Sequence, residues 1–307
     1  MPSAILAVVR SPYLWLTFAM FLSASNLIVG RAVAGHVPPV ALSFWRWTIA
    51  FLFLLPFAWP ALRVQYRVLL REWKTLALLG FLGIAGFLTL TYFALQGTTA
   101  INASLINAMV PVLIPILAWM MFRDRVTHRQ TMGILLTVAG IAVIVLRGDV
   151  GTLMNQRLAW GDPVMLFATF FWAGYSVILK RLPDGLQAAA VLSTVILFGL
   201  AMLLPLYLLE MAAGRVMVLD GASLVAIFYV GVFAAAIGFL CWHYGVDRIG
   251  PNRTGVFFNL VPVFGLGQAM VLLGERLHAF HFVGVPLVLL GVWLATAPPK
   301  KRRMESP

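Results

Sequence analysis

Long apolar runs, interrupted at short intervals by a few polar or basic positions, make up most of this chain. A membrane-spanning helix needs about 20 mostly apolar residues, because the hydrocarbon core is about 30 Å thick and each residue rises about 1.5 Å. Ten stretches meet that requirement: 12–32, 39–59, 75–96, 98–122, 129–147, 160–180, 188–210, 222–245, 251–273 and 279–297. The longest polar interruptions, ALRVQYRVLLREWK at 61–74 and RGDVGTLMNQRLAW at 147–160, are too small to be domains. The expected fold class is all-α and integral to a membrane. Arg10 and the small residues Ser23-Ala24-Ser25 give the first stretch a superficial likeness to a signal peptide. Its apolar run is longer than a typical signal core, so it is read as a retained helix.

Composition agrees with that pattern. Of 307 residues, 62% are hydrophobic and 10% charged, with a mean hydropathy of +0.96. A soluble domain of this length could not hide so much apolar surface. Cys241 is the single cysteine, which excludes an intrachain disulfide. The net charge of +12 is spread over short connections and forms no basic face for nucleic acid. One side of the alternating connections carries 16 Lys and Arg: Arg10, Arg63, Arg67, Arg71, Lys74, Arg123, Arg125, Arg129, Lys180, Arg181, Arg248, Arg253 and the tail Lys300, Lys301, Arg302 and Arg303. The other side carries five, Arg31, Arg147, Arg157, Arg215 and Arg276. The positive-inside rule then places both termini in the cytoplasm.

The chain also repeats itself. A shift of 151 residues superposes Pro111 on Pro262, Asp124 on Glu275, Arg125 on Arg276, Gly133 on Gly284 and Gly140 on Gly291. This divides the chain into two five-helix units, 1–147 and 148–307. An odd number of spans per unit inverts the second relative to the first. The glycine pairs, seven residues apart on helices 5 and 10, form small-residue stripes suited to close packing of those two helices on each other or between protomers.

The PVF...LLGER...G...G pattern of 262–291, its echo PVL...FRDR...G...G at 111–140, and WAGYSVILKR at 172–181 resemble the EamA-type branch of the drug/metabolite transporter superfamily. The resemblance covers essentially the whole chain. It implies ten transmembrane helices as two inverted five-helix repeats around a central cavity, in a carrier of the bacterial inner membrane, often an exporter of amino acids or other small metabolites. Members of that family often carry a Glu just before the proline of the fourth or ninth helix. Here Val110 and Val261 stand in those places.

Two prolines mark where a cavity is expected. Proline has no N–H for the carbonyl four residues earlier, so Pro111 is expected to free the oxygen of Asn107, and Pro262 that of Phe258. A free carbonyl within a bilayer needs a donor from protein, water or ligand, and matched interruptions in two repeats point to a transporter's binding site. Pro115 adds a second break to helix 4, and Gly265 and Gly267 are expected to loosen helix 9, so both helices are read as hinged. Polar residues within spans supply candidate contacts, since such groups face the bundle interior. They are Asn26, Tyr92, Asn102, Asn107, Trp172, Tyr175, His243, Tyr244 and Asn259, with Ser104, Ser176 and Gln268 nearby in sequence. Amides mixed with aromatics suit a small neutral or zwitterionic ligand with polar and apolar parts. Arg46, about 10 Å from the outer end of helix 2 by helical rise, has two expected fates. It faces the cavity and meets a carboxylate or a polar neighbour, or it snorkels outward among Trp45 and Trp47.

All ten carboxylates lie in connections or at helix ends, so no mid-membrane proton carrier of that kind is expected. There is no GxxxxGK[ST] loop for ATP. The expected mechanism is facilitated alternating access, with export favoured and import by the same architecture as the alternative. No cofactor, metal, nucleic acid or ATPase subunit is called for; the expected partners are a small-molecule substrate and the lipid bilayer, with the chain monomeric or homodimeric. A membrane-embedded enzyme would need a motif such as HExxH, and a channel a filter or charged ring; neither is visible.

Overall fold

The computed structural model describes residues 11–122, 128–146, 148, 159–249, 254–255 and 257–296. Asp124, Arg125, most of the 147–160 connection and the basic tail lie outside the described residues.

Among the described residues every regular element is helical. In chain order they are α1 (Pro12–Ala32), α2 (Pro39–Arg71), α3 (Trp73–Ala94), α4 (Ala100–Ile106, a 3-10 turn Asn107–Met109, then Val110–Phe122), α5 (His128–Val145), α6 (Gly161–Leu179), α7 (Ala188–Ala212), α8 (Gly221–Ile249), α9 (Phe257–Leu272) and α10 (Ala279–Thr296). Seven of them, α1 to α4 and α6 to α8, are long and apolar enough to cross a bilayer, and α5, α9 and α10 contain shorter apolar helices. Large apolar side chains face outward along them, including Leu52, Phe57, Leu209, Val271 and Phe282. A water-soluble surface does not carry that much apolar area. The chain is a multi-pass membrane protein.

The sequence reading ended helix 2 at residue 59 and took 61–74 as a connection. Instead α2 continues for 33 residues to Arg71, with Pro56 and Pro60 inside it. The extension is rich in Ala, Leu, Arg and Gln, good helix formers. At about 1.5 Å per residue it outruns the hydrocarbon core, so its arginines are carried past the apolar layer. Arg63 lies over the Trp59 ring at 4.9 Å and Arg67 over Tyr66 at 5.7 Å.

Two features were not foreseen. α3 and α8 each contain an eight-residue π-helical segment, Gly80–Phe87 and Val230–Ile237. Both are rich in Gly, Ala and Phe, and small residues let neighbouring helices come close. A Cβ on Gly83 would sit 2.5 Å from a Tyr175 ring carbon, and one on Gly231 would sit 3.0 Å from the Arg46 carbonyl oxygen. Wider turns of this kind recur at functional sites.

α1 packs on α8 and α9, α2 on α7 and α8, α3 on α6 and α7, α4 on α6 and α9, and α5 on α10. The glycine stripes meet in that last pair. A Cβ on Gly140 would stand 2.7 Å from the Val288 nitrogen, and one on Gly291 would stand 2.7 Å from the Gly133 carbonyl oxygen. Carboxylates tie several helix starts to distant elements. Glu210 at the end of α7 accepts from the Val40 and Ala41 N–H groups of α2 at 3.3 and 2.8 Å. Glu275 accepts from Ala100 and Ile101 of α4 at 2.9 and 3.0 Å. Asp220 caps its own helix, α8, taking the Ser223 N–H at 2.7 Å, which holds its carboxyl below the ordinary carboxylate range.

Candidate functional site

A narrow cavity of about 40 Å³ lies at the centre of the bundle, lined by side chains of α1, α2, α3, α4, α6, α8 and α9. Helical spacing explains which residues reach it. On α1, Ala19, Ser23 and Asn26 fall on one face, on α3 Phe87 and Thr91, and on α8 Ala234, Gly238 and Trp242; residues three or four apart are neighbours on a helix surface.

The proline turns deliver two more lining residues, by a route different from the one expected. Helix 4 does not leave the Asn107 carbonyl free. It tightens into a 3-10 turn, Asn107–Met109, and the Val110 N–H takes that oxygen. A matching 3-10 turn, Phe257–Asn259, precedes Pro262. Tighter i to i+3 bonding is the standard way to satisfy carbonyls that lose an i+4 donor. Pro111 and Pro262 are buried, and the turns they cause present Asn107 and Phe258 to the cavity. Pro115 lies within the regular part of α4. Gly265 is no hinge. It sits in the regular helix of α9, where a Cβ would stand 2.6 Å from the Ser104 Cβ, so it serves the close crossing of α9 on α4.

Arg46 is turned inward and is 2% exposed; it does not snorkel. Its Nη1 donates to Asn26 Oδ1 at 2.5 Å and to the Tyr92 hydroxyl at 2.6 Å, and that hydroxyl donates to Asn26 Oδ1 at 2.5 Å. Arg46 and Asn26 line the cavity, and Tyr92 is buried behind them. The guanidinium also lies over the Trp47 ring at 5.1 Å, a favourable cation–π placement.

The opposite wall is aromatic. Trp172 stacks on Tyr175 with ring centroids 5.1 Å apart, meets Phe239 edge-on at 5.2 Å, and lies 5.8 Å from Trp242, which in turn meets Phe258 at 5.0 Å. Phe239 and Trp242 were missed in the sequence reading, although the four-residue spacing of Ala234, Gly238 and Trp242 marks one face. Tyr175 leaves the cavity wall and points its hydroxyl to His243 Nε2 at 2.9 Å. His243 and Tyr244 line a separate pocket beside Lys180, Asp184 and Asp247. The Trp172–Tyr175 stack thus stands between the central cavity and that pocket.

Two other expected site residues are elsewhere. Asn102 is not at the central cavity: its amide donates to both carboxylate oxygens of Asp162 at 3.4 and 3.2 Å, and its Oδ1 faces His281 Nε2 at 3.2 Å. Thr98 donates to Asp162 as well, and the His278 N–H donates to His281 Nδ1 at 2.9 Å. That bond leaves Nε2 as the protonated ring nitrogen, which donates to Asn102. Asn259 is half-buried and does not line the cavity, and its Oδ1 has no hydrogen-bond partner. Asp162 was passed over as a helix-end carboxylate; no local signal in the sequence links it to Asn102 or His281. Among the described residues no group of three or more His, Cys, Asp or Glu is placed to hold a metal ion.

The EamA-like transporter family profile matches residues 10–146 and again residues 159–297. The chain belongs to the EamA-like transporter family. This EamA-family chain is 27% identical to the uncharacterized transporter YyaM of Bacillus subtilis, covering 92% of each chain. It is 31% identical to a "Probable terminal-alkyne amino-acid exporter" of Streptantibioticus cattleyicolor, over 90% of this chain and 88% of that one. It is 27% identical to a "Probable amino-acid metabolite efflux pump" of Salmonella typhimurium, over 88% and 89% of the two chains. A solved crystal structure, 22% identical, covers 93% of this chain and 97% of its own, with a TM-score of 0.64, and so shares the fold. Family and relatives indicate a transporter and not an enzyme.

Proposed function

We propose that this EamA-family protein is a facilitative secondary carrier that exports a small metabolite, a neutral or aromatic amino acid or a similar compound, across the bacterial inner membrane. The single observation that carries this reading is the central cavity, to which α1 to α4 and α6, α8 and α9 all contribute lining residues. Ten spans form two inverted five-helix repeats, residues 1–147 and 148–307, and rock about that cavity to open it to each side in turn. Several features support the repeat. Exchanging each helix for the one five places along leaves the packing pairs unchanged: α1 on α8 becomes α6 on α3, and α2 on α8 becomes α7 on α3. The π segments of α3 and α8 and the 3-10 turns of α4 and α9 also recur at matching places in the two units. The basic asymmetry of the connections puts both termini in the cytoplasm.

Export of amino acids or their relatives is supported by the names of two of the similar proteins. Facilitated movement is supported by the cavity lining, which contains no carboxylate to exchange a proton. Counterflow tests the proposal. Proteoliposomes preloaded with an unlabelled candidate should accumulate the labelled form transiently and saturably without an imposed proton gradient. Uptake that requires such a gradient refutes facilitation, and non-saturable flux refutes a carrier.

A further inference from the structure

We infer that the central cavity is a carboxylate site in which Arg46 anchors the acid group of a monoanionic ligand and the aromatic wall holds its flat apolar body. This rests on the carrier reading and, within small metabolites, moves the preferred substrate from amino acids to acids of similar shape that lack the ammonium group. Arginine is always charged, and a buried charge is strongly unfavourable unless paired and hydrogen-bonded. Arg46 is 2% exposed, yet its Nη1 meets only two neutral acceptors, Asn26 and Tyr92. Among the described residues no acidic side chain pairs with it. Its Nε is enclosed and makes no hydrogen bond.

Three further enclosed atoms on cavity-lining residues are likewise without partners: the indole N–H groups of Trp172 and Trp242 and the Asn107 Oδ1. Orphan buried polar groups are rare and call for an explanation. Here the imbalance has a direction, since on the lining residues three enclosed donors and a fixed positive charge stand against a single enclosed acceptor. A carboxylate supplies the charge and the lone pairs that guanidinium and indole N–H groups lack, and arginine binds carboxylates in a fork geometry. An ammonium group would enter beside a fixed cation, where Asn107 Oδ1 is the one enclosed acceptor of the lining without a partner. The expected order of preference is therefore monoanion, then zwitterion, then cation. The cavity is narrow, so the walls part to admit the ligand, as the transport cycle itself requires.

The probes are four compounds of one shape: 3-phenylpropionate, its neutral amide 3-phenylpropionamide, phenylalanine and phenethylamine. Binding to the purified full-length protein is read as thermal stabilisation in detergent, and transport as inhibition of counterflow. The acid is expected to act at concentrations at least about tenfold lower than the amide or the amine, in line with the strength of charged hydrogen bonds, and lower than phenylalanine. Arg46→Gln should abolish the preference of acid over amide, and Arg46→Lys should keep part of it. Asn107→Asp, which puts a negative charge in the same cavity, should weaken the acid and not the amide. Equal potency of acid and amide on the wild-type protein overturns the inference, as does a preference for phenylalanine or an unchanged preference in a folded Arg46→Gln. The wild-type comparison stands even where a variant fails to fold. Because stabilisation does not need transport, failure of the carrier reading looks different: the acid binds selectively, but no compound supports counterflow.

Discussion

At the residue scale, several polar side chains in the interior are accounted for by what they touch, and some of those contacts lie far apart in sequence. Tyr175 and His243 are 68 residues apart, yet their 2.9 Å hydrogen bond closes the aromatic wall on the side away from the cavity. Tyr175→Phe removes the hydroxyl and leaves the imidazole Nε2 buried without that partner. A loss of about 1–3 kcal/mol is expected, measurable as a lower thermal midpoint in detergent, with the Trp172 stack retained. A midpoint unchanged from the wild type would show that the bond contributes nothing. Asn102 shows how far side-chain chemistry was legible. Its amide in an apolar run announced a buried polar group, and it is one. Nothing local announced that its partners would be Asp162 and His281, outside the central cavity.

At the scale of elements, glycine and the helix-start carboxylates control how helices meet. Gly140 lets α5 lie against the backbone of α10, since a Cβ would approach the Val288 nitrogen to 2.7 Å. Gly140→Leu is expected to destabilise the protein by about 1–3 kcal/mol or more through overpacking. Gly267 on α9 has open space around it, and Gly267→Ala should be neutral or stabilising by up to about 1 kcal/mol through helix propensity. Thermal unfolding of the two variants side by side decides; equal effects would refute the close-packing account. That α5 and α10 use their stripes on each other also takes that surface away from a homodimer. Glu210 and Glu275 cap helices to which they do not belong. Glu210→Ala and Glu275→Ala should each cost about 0.5–2 kcal/mol, the usual effect of losing an N-terminal cap, and should raise amide exchange at the starts of α2 and α4. Normal exchange there would refute the capping role. The sequence placed Asp162, Glu210 and Glu275 in connections or at helix ends, as observed. Which helix each serves depends on chain segments up to 175 residues away.

At the scale of the whole molecule, orientation is the property that charge alone predicts. In a Cys241→Ser background, Asp184→Cys should react with a membrane-impermeant maleimide only from the cytoplasmic side, and Arg215→Cys only from the outside, both positions being exposed. The reverse pattern would overturn the assignment of both termini to the cytoplasm. The sequence by itself determined the quantities that depend on nearest neighbours: the all-helical class, the approximate positions of the helices, the family, and the places where proline disturbs a helix. It erred where the competing local preferences were close, ending helix 2 at its prolines when the following residues favour helix through Arg71. Only the tertiary structure decided that Arg46 turns inward, that Asn107 and Phe258 face the cavity while Asn102 and Asn259 do not, and that proline tightens helix 4 without opening it. The physical reason is rotational. Apolarity on every side of a membrane helix removes the amphipathic signal that would reveal its inward face, so the direction of each polar group is set by the packing of helices that the chain brings together from both of its halves.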